Sequence, residues 1–138
     1  LRIALPFFED PEKTIATGGT IRIANGSDIK HGRIVKPRLS NNPLILMQNI
    51  EYIRAFLCGR VGWSALNSTL VISGAFGLFQ KKAVIDCGGY RAESIGEDME
   101  LVLRLHRHFL TINPKPYRIV FLPDPVCWTE APFELGSL

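Results

Sequence analysis

The 138 residues are 46% hydrophobic and 21% charged, a balance that excludes a disordered chain and allows one domain with a real core. A net charge of +3 permits contact with an acidic ligand or a membrane surface but is too thin for a nucleic-acid stripe. Cys58, Cys87 and Cys127 are odd in number and widely spaced, which fits reduced, buried thiols on a cytosolic face better than a disulfide framework or a zinc site. No run in these residues is long and apolar enough to span a bilayer, and no signal peptide is expected. The sequence opens on Leu1 rather than Met, so the expectation is a piece cut from a longer protein.

In chain order, Leu1 to Leu5 reads as the tail of an amphipathic helix stopped by Pro6, with a turn over Phe7 to Pro11. Ile15 to Ala24 is rich in β-branched residues and predicts a strand, kinked or bulged at Gly18-Gly19. Asn25 to Asp28 is a turn signal. Ile29 to Pro43 holds two prolines with Lys30, His31, Arg33, Lys36 and Arg38; a long solvated loop is the expectation, ahead of a phosphate site. Leu44 to Cys58 predicts a helix with Leu46, Ile50, Ile53 and Leu57 on one face, Met47 and Phe56 beside it, and Gly59 as its stop. Its apolar surface is wide. Core packing is the default reading, and a surface resting on a membrane or on another part of a larger protein is the alternative. Arg60 to Ser68, with Trp63, is loop or short helix.

Leu70 to Phe79 is strand-like with small residues at its centre, where Gly74 and Gly77 allow another backbone or a ligand to come close. It is no phosphate loop, lacking both glycine-rich signatures. Lys81 to Cys87 predicts a short helix closed by Gly88-Gly89. A second strong helix begins at Glu97. At its own period Asp98, Leu101, Val102, Leu105 and Phe109 share one face, while Glu97, Glu100, Arg104, Arg107 and His108 share the other. Ser94-x-x-Glu97 fits a capping box, and Glu100 is spaced to pair with Arg104. Capping accounts for Glu97 and covers Asp98 in part, but it does not explain why Asp98 points the way Leu101 and Leu105 point; a site role and a structural network both remain open for it. Asn113 to Pro116 turns the chain. Tyr117 to Leu122 is a strand ended by Pro123-Asp124-Pro125, and Val126 to Thr129 is one more short strand. The sum is a mixed α/β domain.

Three pieces taken together resemble the second half of the glycosyltransferase family 2 catalytic domain, the GT-A fold of cellulose-synthase-like and hyaluronan-synthase-like membrane enzymes. They are Ser73-Gly74-Ala75-Phe76-Gly77-Leu78-Phe79; Gly88-Gly89-Tyr90 followed by Ile95-Gly96-Glu97-Asp98-Met99-Glu100-Leu101; and Tyr117-Arg118-Ile119-Val120-Phe121-Leu122-Pro123. The closing Trp128-Thr129-Glu130-Ala131-Pro132 fits as well. The resemblance covers essentially residues 1–138 as a single partial domain. It implies an α/β fold, the acceptor-side half of a nucleotide-diphospho-sugar transferase domain with a mixed sheet and flanking helices.

The resemblance also implies chemistry. Asp98 would be the general base that takes a proton from an acceptor hydroxyl as it attacks the anomeric carbon of a nucleotide-activated sugar, with inversion. Gly96, Glu97, Ser73, Gly74, Ala75 and Phe76 would line the substrate cleft, Phe76 either packing on a sugar or filling core. The family's Mg²⁺ or Mn²⁺ is held by an Asp-x-Asp motif, expected before Leu1, and processive members add a Gln-x-x-Arg-Trp, expected after Leu138. Neither motif occurs in these residues, so the fragment is expected to be inactive alone and to carry no metal. The implied partners are a nucleotide-diphosphate sugar, a glycan or glycolipid acceptor, the remaining half of the domain and, through the parent's transmembrane segments, the cytoplasmic face of a membrane. Self-association through unpaired strand edges is expected. Two further readings stand beside this one: a non-catalytic GT-A-like module docking through helix 44–58, and a nucleophilic enzyme using Cys87 and His106, which lacks an orienting group.

Overall fold

The computed structural model describes residues 2–91, 93, 94 and 96–134. Its central strand is β1 (Thr14–Ile23), buried along its length except at Arg22. Burial on both faces explains the near-continuous apolar run, and three buried threonines stay satisfied. Thr14 Oγ1 donates to the Pro6 carbonyl at 2.8 Å, Thr17 Oγ1 to Ile3 at 2.7 Å and Thr20 Oγ1 to Leu122 at 3.2 Å. The first two tie down a short 3₁₀ turn, Arg2–Ala4, and helix α1 (Leu5–Glu9). Pro6 starts that helix instead of stopping one, because its missing N–H costs nothing in a first turn. Leu1, the first residue of the predicted helix tail, lies outside the described residues.

β1 pairs antiparallel with β4 (Gly77–Phe79) and parallel with β5 (Arg118–Thr129), giving the mixed order β4-β1-β5. The predicted irregularity at Gly18-Gly19 is present: register shifts flank Thr20, and a Cβ on Gly19 would lie 2.4 Å from Val126 Cγ2. The glycine makes room for the neighbouring strand. The same irregularity corrects the reading of β5 as two strands. Leu122 pairs with Gly19 and Pro125 with Thr20, so Pro123 and Asp124 are absorbed as a bulge, where a proline needs no ladder partner.

Two loop expectations are also corrected. Residues 28–36 form a hairpin of β2 (Asp28–Lys30) and β3 (Arg33–Lys36), turning on His31 and Gly32 at φ of 49° and 70°. Of the strand-like stretch 70–79, only Gly77–Phe79 joins the sheet. Helix α2 (Pro43–Ile53) is capped by Asn42 Oδ1, which accepts from Leu44 N at 2.9 Å. It does not stop at Gly59 but runs through a π-helical stretch, Arg54–Arg60, into α3 (Val61–Ala65). Its buried positions are Ile45 and Phe56, one residue round from the predicted stripe, while Met47 and Ile50 are 67% and 65% exposed. On a helix apolar nearly all round, periodicity cannot choose the inward face.

Helix α4 (Lys81–Asp86) closes at Gly88-Gly89 as expected, with both glycines at positive φ. Helix α5 (Glu97–Arg107) lays Leu101, Val102 and Leu105, all fully buried, against Ile15, Ile72 and Ile119. A π-helical turn, His108–Ile112, prolongs it and buries His108, which the sequence put on the outer face. A second core under α2 joins Ile21, Phe56 and Phe121.

Candidate active site

The inward acid is where the period of α5 puts it. Asp98 is half-buried beside the fully buried Leu101, and Glu97 is exposed. The local cause differs from the capping box. The N-cap is Gly96 in the left-handed region at φ 98°, and no side chain caps the helix, so Ser94 and Glu97 do not act as one. A glycine takes that conformation freely, and its turn swings Asp98 toward the sheet. Ile95, next to it in the motif, lies outside the described residues.

Asp98 and Glu97 line a cavity of about 360 Å³ with Ile72, Ser73, Gly74, Gly77, Phe79 and Tyr90. An added Cβ on Gly74 would lie 3.8 Å from Glu97 Oε1 and 3.9 Å from Asp98 Cβ, so the small residue keeps the floor open beside the acids. Gly77 serves the core instead, since a Cβ there would be 2.5 Å from Ile72 Cγ2. Of the expected cleft residues, Ser73, Gly74, Glu97 and Asp98 come together, and Gly96 sits at their helix start. Ala75 and Phe76 do not line the cavity. The Phe76 amide closes a turn onto the Ser73 carbonyl at 3.0 Å, and its ring is 36% exposed, so it does not fill core.

Asp98 Oδ1 accepts from the Met99 amide at 2.8 Å, and the carboxylate has no other protein donor among the described residues. Tyr90 is a lining residue that single-residue reasoning passed over, although it stands in the Gly-Gly-Tyr signature. Burial, and then the charges of Glu97 and Asp98, raise its phenol above the ordinary value and keep it a donor. Tyr90 stands edge-on to Phe79, ring centroids 6.4 Å apart.

Arg60, at the end of the π-helical stretch, was also missed. Its guanidinium lies over the Phe56 ring at 4.2 Å and 6.0 Å from the Phe121 centroid. Nη1 is buried and has no hydrogen-bond partner among the described residues. Burial lowers the guanidinium below its ordinary value, and the Asp98 carboxylate and then Tyr52 push it back.

The Cys87–His106 alternative finds no support. Cys87 Sγ donates to Val84 O at 3.3 Å, and burial pushes its thiol up, away from the reactive thiolate. His106 is a satisfied structural histidine, with Nδ1 2.6 Å from the Tyr117 hydroxyl and Nε2 2.8 Å from Thr69 O. Among the described residues no three His, Cys, Asp or Glu side chains come together as metal ligands. Nor is any helix among them long and apolar enough to cross a membrane.

No family model matches this sequence. It is similar to curated proteins named poly-beta-1,6-N-acetyl-D-glucosamine synthase. The Staphylococcus aureus protein is 34% identical over 114 residues, covering 80% of this chain and 26% of that protein. The Staphylococcus epidermidis protein is 33% identical over 104 residues, covering 74% of this chain and 24% of that one. The chain, a mixed α/β unit, thus spans about a quarter of the length of the polysaccharide synthases it resembles.

Proposed function

We propose that this chain is the acceptor-side half of the catalytic domain of an inverting family 2 glycosyltransferase that extends a glycan, with Asp98 as general base. The observation that carries the reading is Asp98 itself: a half-buried carboxylate with one backbone donor, at a helix start, over the open floor of Ser73 and Gly74. The similarity to polysaccharide synthases supports the same class. In the proposed step an acceptor hydroxyl lies within hydrogen-bond reach of Asp98. Its oxygen forms a bond to the anomeric carbon of the donor, the carbon–phosphate oxygen bond breaks, the nucleoside diphosphate leaves with that electron pair, and Asp98 takes the proton. Tyr90 and Ser73 offer hydroxyls that orient the sugar. A divalent cation, where the parent enzyme uses one, supplies charge stabilisation to the leaving diphosphate from residues outside this chain.

The test uses the protein extended until it contains an Asp-x-Asp, with release of nucleoside diphosphate followed across a panel of nucleotide sugars and Mg²⁺ or Mn²⁺. Asp98→Asn is expected to lower turnover by roughly two to four orders of magnitude, the range that positioned proton transfer supplies. Equal turnover would make Asp98 a structural acid. The second reading, a GT-A-like module that docks through α2, is favoured by the exposure of Met47, Ile50 and Ile53. It is expected to lead only if no donor turns over in native protein.

A further inference from the structure

Two interior polar atoms that lack partners belong to residues lining one cleft. Among the described residues Arg60 Nη1 is buried and unpartnered, and so is Thr69 Oγ1. Arg60 and Thr69 line a cavity of about 190 Å³ together with Trp63, Leu70 and Val71. An orphaned buried polar atom is costly, so two in residues of one cleft ask for a reason. The cleft is separate from the one holding Asp98 but continuous with it along the chain. Thr69, Leu70 and Val71 line the first, and Ile72, Ser73 and Gly74 line the second. At roughly 3.3 Å per extended residue, Val71 and Gly74 are no more than about 10 Å apart. The Arg60 end of the cleft also lies on a π-helical turn, a distortion frequent at functional sites.

The lining fits a particular chemistry. Trp63, half exposed, offers a flat apolar face on the rim. Arg60 brings a fork of donors held in place by the Phe56 ring beneath it. Thr69, 1% exposed with its Oγ1 buried, is wall and not a donor to the cleft. Among the described residues no carboxylate lines the cleft. An apolar platform edged by a cationic donor suits a ring that has one carbon–hydrogen face and a rim of hydroxyl or amide oxygens. The volume is below that of a pocket for a drug-sized ligand and matches a single ring.

We propose that the Arg60–Trp63–Thr69 cleft is a glycan subsite that holds a sugar residue of the acceptor chain one or two positions behind the hydroxyl presented to Asp98. The inference rests on the acceptor-side reading above and gives that site a direction and a length. Trp63 carries the ring, and Arg60 hydrogen-bonds its oxygens.

The test follows binding of β-1,6-linked N-acetylglucosamine oligomers of one to five residues to this chain by tryptophan fluorescence. Trp63 and Trp128 are its two tryptophans, so a Trp128→Phe background isolates the signal. Affinity is expected to rise at least tenfold between the monosaccharide and the trimer. Trp63→Ala and Arg60→Met, read by calorimetry, are expected to abolish that rise while leaving monosaccharide binding within about twofold. Trp63→Phe keeps most of it, which separates loss of the platform from loss of the fold, and far-ultraviolet circular dichroism verifies each variant. Asp98→Asn retains the length dependence, so loss of the base and loss of the subsite are distinguishable. A native chain that binds no oligomer, or that binds all lengths equally, overturns the subsite whatever donor turnover shows. So does a trimer affinity unchanged in both Trp63→Ala and Arg60→Met.

Discussion

The Arg104 guanidinium donates to four oxygens: both carboxylate oxygens of Glu100 at 2.6 and 2.7 Å, and the carbonyls of Cys87 and Gly89 at 2.6 Å each. Its side chain is only 13% exposed, so it is a clasp between α5 and the Gly88-Gly89 turn and not the outward charge that the period suggests. Arg104→Met is expected to lower stability by about 2–3 kcal/mol in urea denaturation, because charge-assisted bonds are lost and two carbonyls are left short of donors. Arg104→Lys, a point charge without the fork, is expected to recover less than half. The pH dependence has a definite sign. The Arg104 hydrogen bond holds the Glu100 carboxyl below the usual carboxylate range. A group depressed in the folded state stabilises above its unfolded value, and that contribution is lost as pH falls through the folded one. Asp86 beside Lys82, and Glu51 beside Arg54, act in the same sense. Stability should therefore fall from about pH 5 downward, with a shallower decline in Glu100→Gln. At this scale Asp98 and the Glu100–Arg104 pair were legible because both follow from helical spacing. Arg60 and Tyr90 were not, since what distinguishes them is what surrounds them in space.

The His31-Gly32 turn shows why elements were read unevenly. Positive φ at both residues is the geometry of a two-residue hairpin loop matched to strand twist. A histidine in the first place hides it, and the basic composition of the flanks reads as loop. His31→Asn is expected to raise the melting temperature slightly, by about 0.5 kcal/mol in stability, because asparagine takes the left-handed region more readily. Gly32→Ala is expected to cost about 1–2 kcal/mol, although open space surrounds it, because only the backbone conformation objects. Failure of either sign in thermal melts would mean the turn is not formed. β1, α4 and α5 were legible because pattern and punctuation agree in each. The length of β5 was not: its prolines end a strand in any local reading, and only the bulge opposite Gly19 and Thr20 carries the pairing past them.

For the whole molecule, the sequence predicts open edges wherever a strand awaits a missing neighbour, and the structure answers this in part. Along β5 the outward amides of Ile119 and Phe121 donate to Asn67 Oδ1 at 2.9 Å and to Ser64 Oγ at 2.8 Å, so the end of α3 and the segment after it cover that edge. This device was invisible in the sequence, because it depends on where α3 ends. The flank of β4 stays open, with Leu78 38% exposed, and so does the stripe of Met47, Ile50 and Ile53 along α2. Three large apolar side chains three residues apart form one contiguous patch, edged by the exposed Glu51–Arg54 ion pair, and apolar patches with a polar rim mark association surfaces. The chain should therefore self-associate reversibly in sedimentation equilibrium as concentration rises. Met47→Lys with Ile50→Lys should return it to monomer while leaving stability within about 0.5 kcal/mol, since both sites are on the surface. Leu78→Lys distinguishes the alternative source. If it alone dissolves the oligomer, the contact is a strand edge; if only the α2 pair does, it is the helix face. A clean monomer at the highest attainable concentration removes both, and with them the idea that this face of α2 needs covering.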